Sequence, residues 1–130
     1  MGAAENKAMV LRFFELRFAD PEAAWELVAP DARWTIPGTL PLSGTFEGRQ
    51  SIFEDYLGQH TNDFETITSE VTRAIAEHDL VVVEYHARGR TRKGRDYDTI
   101  YYYIVEVQGG QIQAVRQSLD TLYTRQTLYD

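Results

Sequence analysis

Asp120 closes a stretch, IQAVRQSLD, whose alternation places Ile112, Ala114, Arg116, Ser118 and Asp120 on one side and Val115, Gln117 and Leu119 on the other. One side therefore carries a guanidinium, a hydroxyl and a carboxyl along a strand whose composition marks it for burial. Burying a carboxylate costs several kcal/mol unless it is paired or hydrogen-bonded, so its presence asks for a chemical reason. Upstream, Glu84, His86 and Arg88 share one side of a second strand-like stretch, opposite Val81, Val83, Tyr85 and Ala87. A carboxylate, an imidazole and a guanidinium lining one pocket suit proton transfer, because His titrates near neutrality and desolvation raises an Asp. The same residues also fit a buried structural ion network or a solvent-facing surface.

A second group is aromatic: Trp34, Tyr56, Tyr85, Tyr97, Tyr101, Tyr102 and Tyr103. Consecutive tyrosines on a strand point to alternate faces, so Tyr102 is separated from Tyr101 and Tyr103. If even positions line a pocket, Tyr102 joins Ile100 and Ile104 inside, and Tyr101 and Tyr103 form an outer surface suited to dimerisation. The alternative for the whole cluster is ordinary core packing. The basic run RGRTRKGR spans Arg88 to Arg95 and mimics a phosphate loop, but Arg95 and Asp96 stand where Lys and Ser/Thr are required, and the context is a hairpin. It reads as a solvated turn. His60, His78 and His86 lack metal-ligand spacing, cysteine is absent, and no dinucleotide fingerprint occurs. The expected chemistry uses no metal and no cofactor.

These residues must be positioned by one domain of 130 residues, long enough to bury roughly two-thirds of its unfolded surface. With 20 acidic and 13 basic residues the net charge is -7, which disfavours nucleic acid and anionic membranes as partners. No apolar run approaches the about 20 residues of a membrane span, and MGAAENKAMV has no signal-peptide core. A soluble, cytoplasmic protein is expected. Residues 5 to 18 predict an amphipathic helix with Met9, Val10, Phe13, Phe14 and Leu16 inward and Lys7, Arg12, Glu15 and Arg17 largely opposite. Asp20-Pro21 starts a second helix that stops before Pro30. Arg33 to Ile36 is a brief strand, and residues 49 to 57 a third helix. Period-2 segments at 66–75, 80–91, 97–107 and 112–122 follow, joined by AEHD, RKGR and a Gly109-Gly110 turn. Three helices and a small strand followed by a meander predict an α+β domain.

That order, with PDARWTIPG, LSGTFEGRQSIFEDYL and GGQIQAVRQSLDTL, resembles the SnoaL-like group of the nuclear transport factor 2-like superfamily across essentially the whole chain. The superfamily also includes polyketide cyclases, ketosteroid isomerase and limonene epoxide hydrolase. The resemblance implies a cone-shaped curved antiparallel sheet with three N-terminal helices on its concave face, a pocket between them, and homodimers through the outer face. The isomerases' general base falls at Ile36, which takes no proton, and their oxyanion-hole Tyr at Phe13 or Phe14. Their protonated Asp falls near Tyr102 or Tyr103, where a phenol can donate. The hydrolases' Arg-x-Asp pair is replaced by Glu84 and His86, and their Tyr and Asn by Trp34 and Ile36. Asp120 matches the Asp on the final strand of both hydrolases and cyclases.

The resulting expectation is a small-molecule-binding protein acting by cofactor-independent acid/base chemistry of cyclase, isomerase or hydrolase type on an apolar, ring-containing substrate. Asp120 is the general acid/base, His86 or Arg116 sets its charge state, and Tyr102 donates to a developing oxyanion. Trp34, Ile36, Tyr56, Glu84 and Ser118 complete the substrate site. The alternative is a non-catalytic ligand-binding or dimerisation module.

Overall fold

A computed structural model describes residues 2–130. Helix α1 spans Ala3–Ala19 and α2 spans Pro21–Glu26, where the Asp20 carboxylate accepts from the Ala23 amide as the sequence predicts. Strands β1 (Val28–Ile36) and β2 (Gly44–Glu47) form a hairpin, and helix α3 runs over 49–62. Its centre, Ile52–Leu57, is wound as a π-helix. Strands β3 (Phe64–Glu77), β4 (Leu80–Thr91), β5 (Asp96–Gln108) and β6 (Gln111–Ser118) make the meander. A last helix, α4, occupies 121–129.

The six strands form one curved sheet in the order β2-β1-β6-β5-β4-β3, antiparallel except for the parallel β1–β6 pair. The β5–β6 hairpin turns on Gly109 and Gly110, both at positive φ, as their sequence requires. Three local differences from expectation matter. Residues Val28–Pro30 belong to β1 rather than to α2, because β1 reaches β6 through Val28 and Ile112. β2 emerges from the segment between the expected strand and third helix, where no element was expected. The final strand stops at Ser118, and Asp120 N-caps α4, a helix absent from the sequence reading. Among the described residues no helix is long and apolar enough to cross a membrane.

Odd-numbered residues of β4 and β5 face inward: Val81, Val83, Tyr85, Ala87, Tyr97, Tyr101, Tyr103 and Val105 are all buried. The parity that would have placed Tyr102 inside is therefore not the one adopted; Tyr102, Ile100 and Ile104 lie on the outer face, 46, 37 and 44% exposed. A β-bulge then breaks the period-2 rule in β6. Glu106 pairs with Ala114 but Val107 with Ile112, so Gln113 is an extra residue. Ile112 is inward before the bulge, and Val115 and Gln117 are inward after it. Arg116 and Ser118 consequently point outward. A glycine marks another irregularity: a Cβ on Gly89 would lie 2.2 Å from the Thr66 carbonyl oxygen beside the β3 bulge. Gly89→Ala is expected to cost about 1–3 kcal/mol, read by urea denaturation.

Candidate functional site

The interior is built from aromatic rings, and three of the polar side chains set among them bear on the site. Gln117 on β6 joins two of the rings. Its side-chain oxygen accepts from Trp34 Nε1 at 2.9 Å and from the Tyr56 hydroxyl at 2.7 Å. Trp34 and Tyr56 are 1 and 2% exposed, so this shared acceptor satisfies two donors that have no water to turn to.

The second is Arg17 in the last turn of α1. The buried stripe of that helix is Asn6, Val10, Phe13, Phe14 and Arg17, so the guanidinium goes inward although it is the charged member of the set. It is 4% exposed. Its Cζ sits 4.8 Å from the ring centres of Phe14 and Tyr85, 4.7 Å from Phe18 and 5.5 Å from Tyr103. Arg17 Nη2 donates to the Tyr103 hydroxyl at 3.4 Å, whereas Nε and Nη1 have no hydrogen-bond partner. Among the described residues no carboxylate pairs with it. Guanidinium does not deprotonate in proteins, so a cation stands in an aromatic cage without a counter-ion.

The third is His60 in α3, half-buried, whose ring stacks on Tyr56 at 5.8 Å and packs on Phe64 at 5.2 Å. Burial, with the Arg17 charge adding to it, lowers its pKa to about 4. The imidazole is neutral at physiological pH. Burial pushes the Tyr56, Tyr101 and Tyr103 phenols upward, the last against the opposing pull of Arg17, so all three keep their protons. Arg17, His60, Tyr85 and Tyr101 line an enclosed cavity of about 10 Å³, room for about one water. The Arg17 cation, the neutral Tyr101 phenol and the neutral imidazole together can hold an oxyanion and accept a proton.

The His60 shift has a measurable sign. Unfolded, the imidazole takes its proton near its ordinary value of 6.5; folded, it waits until about 4. Between these values the unfolded chain binds more protons, so stability falls as pH drops from about 6.5 towards about 4. The wild-type minus His60→Asn difference in chemical-denaturation midpoint isolates this loss from the carboxylates and should be flat above pH 7.

The residues singled out in the sequence are placed differently. Asp120 is exposed, and its carboxylate accepts from the Tyr123 amide at 3.0 Å as the cap of α4. Asp120→Ala is expected to lower stability by about 1 kcal/mol, the usual loss for a cap, in a thermal melt. His86 lies on the outer face with Nε2 2.6 Å from Asp98 and Nδ1 3.3 Å from Arg88. Glu84 accepts from Thr72 at 2.7 Å and from Tyr102 at 2.9 Å, bonds that hold its carboxyl below the usual range. Arg116 and Ser118 pair across the ladder with Ile104 and Tyr102 on that same face. The structure thus gathers Glu84, Tyr102 and Ser118 in one cross-strand row on the outer face of the sheet, and brings none of them, nor Asp120, His86 or Arg116, to the interior. Trp34, Ile36 and Tyr56 are interior. Arg17, His60 and Gln117 were missed as site residues, and of the two candidate phenols Tyr103, not Tyr102, is the interior one. Spacing was the available signal for Arg17, three and four residues after Phe14 and Phe13. Among the described residues no three His, Asp or Glu side chains gather to hold a metal ion.

A curved six-stranded sheet with helices against an aromatic interior is the architecture of the nuclear transport factor 2-like proteins. Residues 10–115 match the SnoaL-like domain, and the chain belongs to that family. Over 98% of each chain it is similar, at 24% identity and a TM-score of 0.82, to an NTF2-like protein from Burkholderia xenovorans LB400. It is 18% identical to TerC, co-crystallised with polyporic acid, covering 97% of this chain and 99% of that one at a TM-score of 0.84. A protein with a ketosteroid isomerase-like fold from Catenulispora acidiphila DSM 44928, in complex with trimethylamine, is 15% identical over 84% of this chain and 82% of that one, at 0.70. At these identities the likeness is one of fold. No curated protein matches the chain.

Proposed function

We propose that the chain binds a small ring-containing molecule through an anionic or enolisable oxygen held by Arg17, and that it works on this molecule by cofactor-independent proton transfer. The observation that carries this reading is the buried guanidinium with two unpartnered nitrogen positions and no counter-ion. Such a group costs stability unless something anionic meets it, and Tyr103 beside it stays protonated as a donor to the same oxygen. His60, neutral beside it, is the proton acceptor. That the fold neighbour TerC was co-crystallised with an acid is consistent with this charge preference. The test pairs aromatic carboxylates and cyclic 1,3-diketones with their uncharged methyl esters and ethers. Acids and enols should raise the melting temperature and the neutral partners should not; equal responses would overturn the charge assignment. Solvent deuterium appearing at the α-carbon of a bound diketone faster than in buffer reports the proton transfer.

The filled interior favours a second reading, a non-catalytic binding module, which stands if acids bind and no compound exchanges. Either reading is compatible with homodimerisation through the outer face. There Val82 pairs in register with Ile75 on one side and Ile104 on the other, and the three are 39, 66 and 44% exposed across neighbouring strands. Sedimentation should give a dimer mass that Ile104→Asp shifts to monomer.

A further inference from the structure

The cavity beside Arg17 is far too small for a ring, so a ligand held there must keep most of its body elsewhere. A cleft of about 500 Å³ runs between α1 and the edge strand β3, within the range of about 300–1,000 Å³ usual for ligand pockets. Lys7, Leu11 and Phe14 line it from the helix and Ser69 and Val71 from the strand. The buried ring of Tyr85 lines it as well, and Tyr85 also walls the small cavity that holds Arg17 and His60. One aromatic side chain, 3% exposed, thus borders both spaces, with the Arg17 Cζ 4.8 Å from its ring centre. The Tyr85 hydroxyl is bonded to the Ser69 hydroxyl of the edge strand, an exposed residue.

We infer that the α1–β3 cleft is the outer half of the ligand site and that Tyr85 is the partition between it and Arg17. The inference rests on the assignment of Arg17 above and extends it to a ligand class: an amphipathic monoanion whose ring lies in the cleft while its charged oxygen passes Tyr85. The cleft wall carries Lys7 and Arg73 as well as Glu15 and Glu70, so it adds no net charge preference. Selection of the anion is left to Arg17, and the size of the accepted ring to Tyr85 and the cleft.

The probe is 1-anilinonaphthalene-8-sulfonate, an aromatic sulfonate whose fluorescence rises in apolar sites, mixed with the full chain by stopped flow. Leu11→Trp, which fills the cleft, should weaken binding at least tenfold, and Glu15→Trp, on an exposed position of the same wall, should do so if the first variant folds poorly. Ser69→Ala, which frees Tyr85, should speed association at least threefold. Unchanged affinity in a folded tryptophan variant and an unchanged rate in Ser69→Ala, with binding still abolished by Arg17→Met, would overturn the cleft while sparing the Arg17 site. Binding that survives Arg17→Met would overturn the underlying assignment itself.

Discussion

Arg17→Met should melt several degrees higher than the wild type and lose its affinity for acidic ring compounds. The two effects have one cause. Holding a guanidinium away from water carries an effective penalty of several kcal/mol after relaxation. Against this stand a 3.4 Å bond to Tyr103 and contacts with four rings. A cation over a ring contributes about 0.5–2 kcal/mol, and one cation does not draw the full value from four rings at once. Methionine keeps the length, restores favourable sulfur–aromatic contacts and removes the charge. The balance is a gain on the order of 1–2 kcal/mol, a change visible in a thermal melt. A side chain retained for binding at the expense of stability gives this signature. A large loss of stability would instead make Arg17 a structural member of the core.

Gln117→Leu should be among the most damaging single changes in the chain. Leucine has nearly the same length and fits the apolar surroundings, so the loss comes from two donors left behind. Trp34 Nε1 and the Tyr56 hydroxyl both point at the Gln117 oxygen from buried positions, and each stranded donor costs about 1–3 kcal/mol. The expected loss is roughly 2–5 kcal/mol in urea denaturation. Adding Tyr56→Phe to Gln117→Leu removes one stranded hydroxyl and should recover about 1–2 kcal/mol. If the double variant were simply less stable than either single one, Gln117 would act through packing and not as a shared acceptor.

Much of the architecture was legible because the signals were local and physically forced. Asp20-Pro21 could hardly do other than open a helix, Gly109-Gly110 supplied the two positive φ values of a tight hairpin, and long β-branched and aromatic runs gave the meander. The site was less legible, for two reasons. Alternation holds only while the register does, and the extra Gln113 in β6 reverses it with neither glycine nor proline at that position as warning. Arg116, Ser118 and Asp120 therefore read as continuing the inward side begun by Ile112 and instead leave it. Arg17 failed differently. Charge alone assigned it to solvent, whereas its spacing from Val10, Phe13 and Phe14 put it on the buried stripe. Position outweighed residue type there, and a charge on the apolar stripe of a helix is the signal that marks the proposed site.

The aromatic interior also explains how such a charge persists. Phe14 lies 4.8 Å from Tyr103 and 5.6 Å from Tyr85, so the rings around Arg17 hold one another as well as the cation. The π-wound centre of α3 brings Tyr56 onto Trp34 at 5.3 Å and leads into His60, whose ring stacks on Tyr56. Such π segments recur at functional sites because they re-aim side chains at a cost in helix regularity.

The most direct measurement follows the Arg17 Nε–H by nitrogen-15 NMR while an aromatic carboxylate is titrated in. Nε has no partner in the structure, so a carboxylate arriving there must shift its proton resonance downfield in step with binding, and the matching methyl ester must leave it in place. A carboxylate that binds while this resonance stays unmoved would contradict the assignment of Arg17 as the group that holds the ligand.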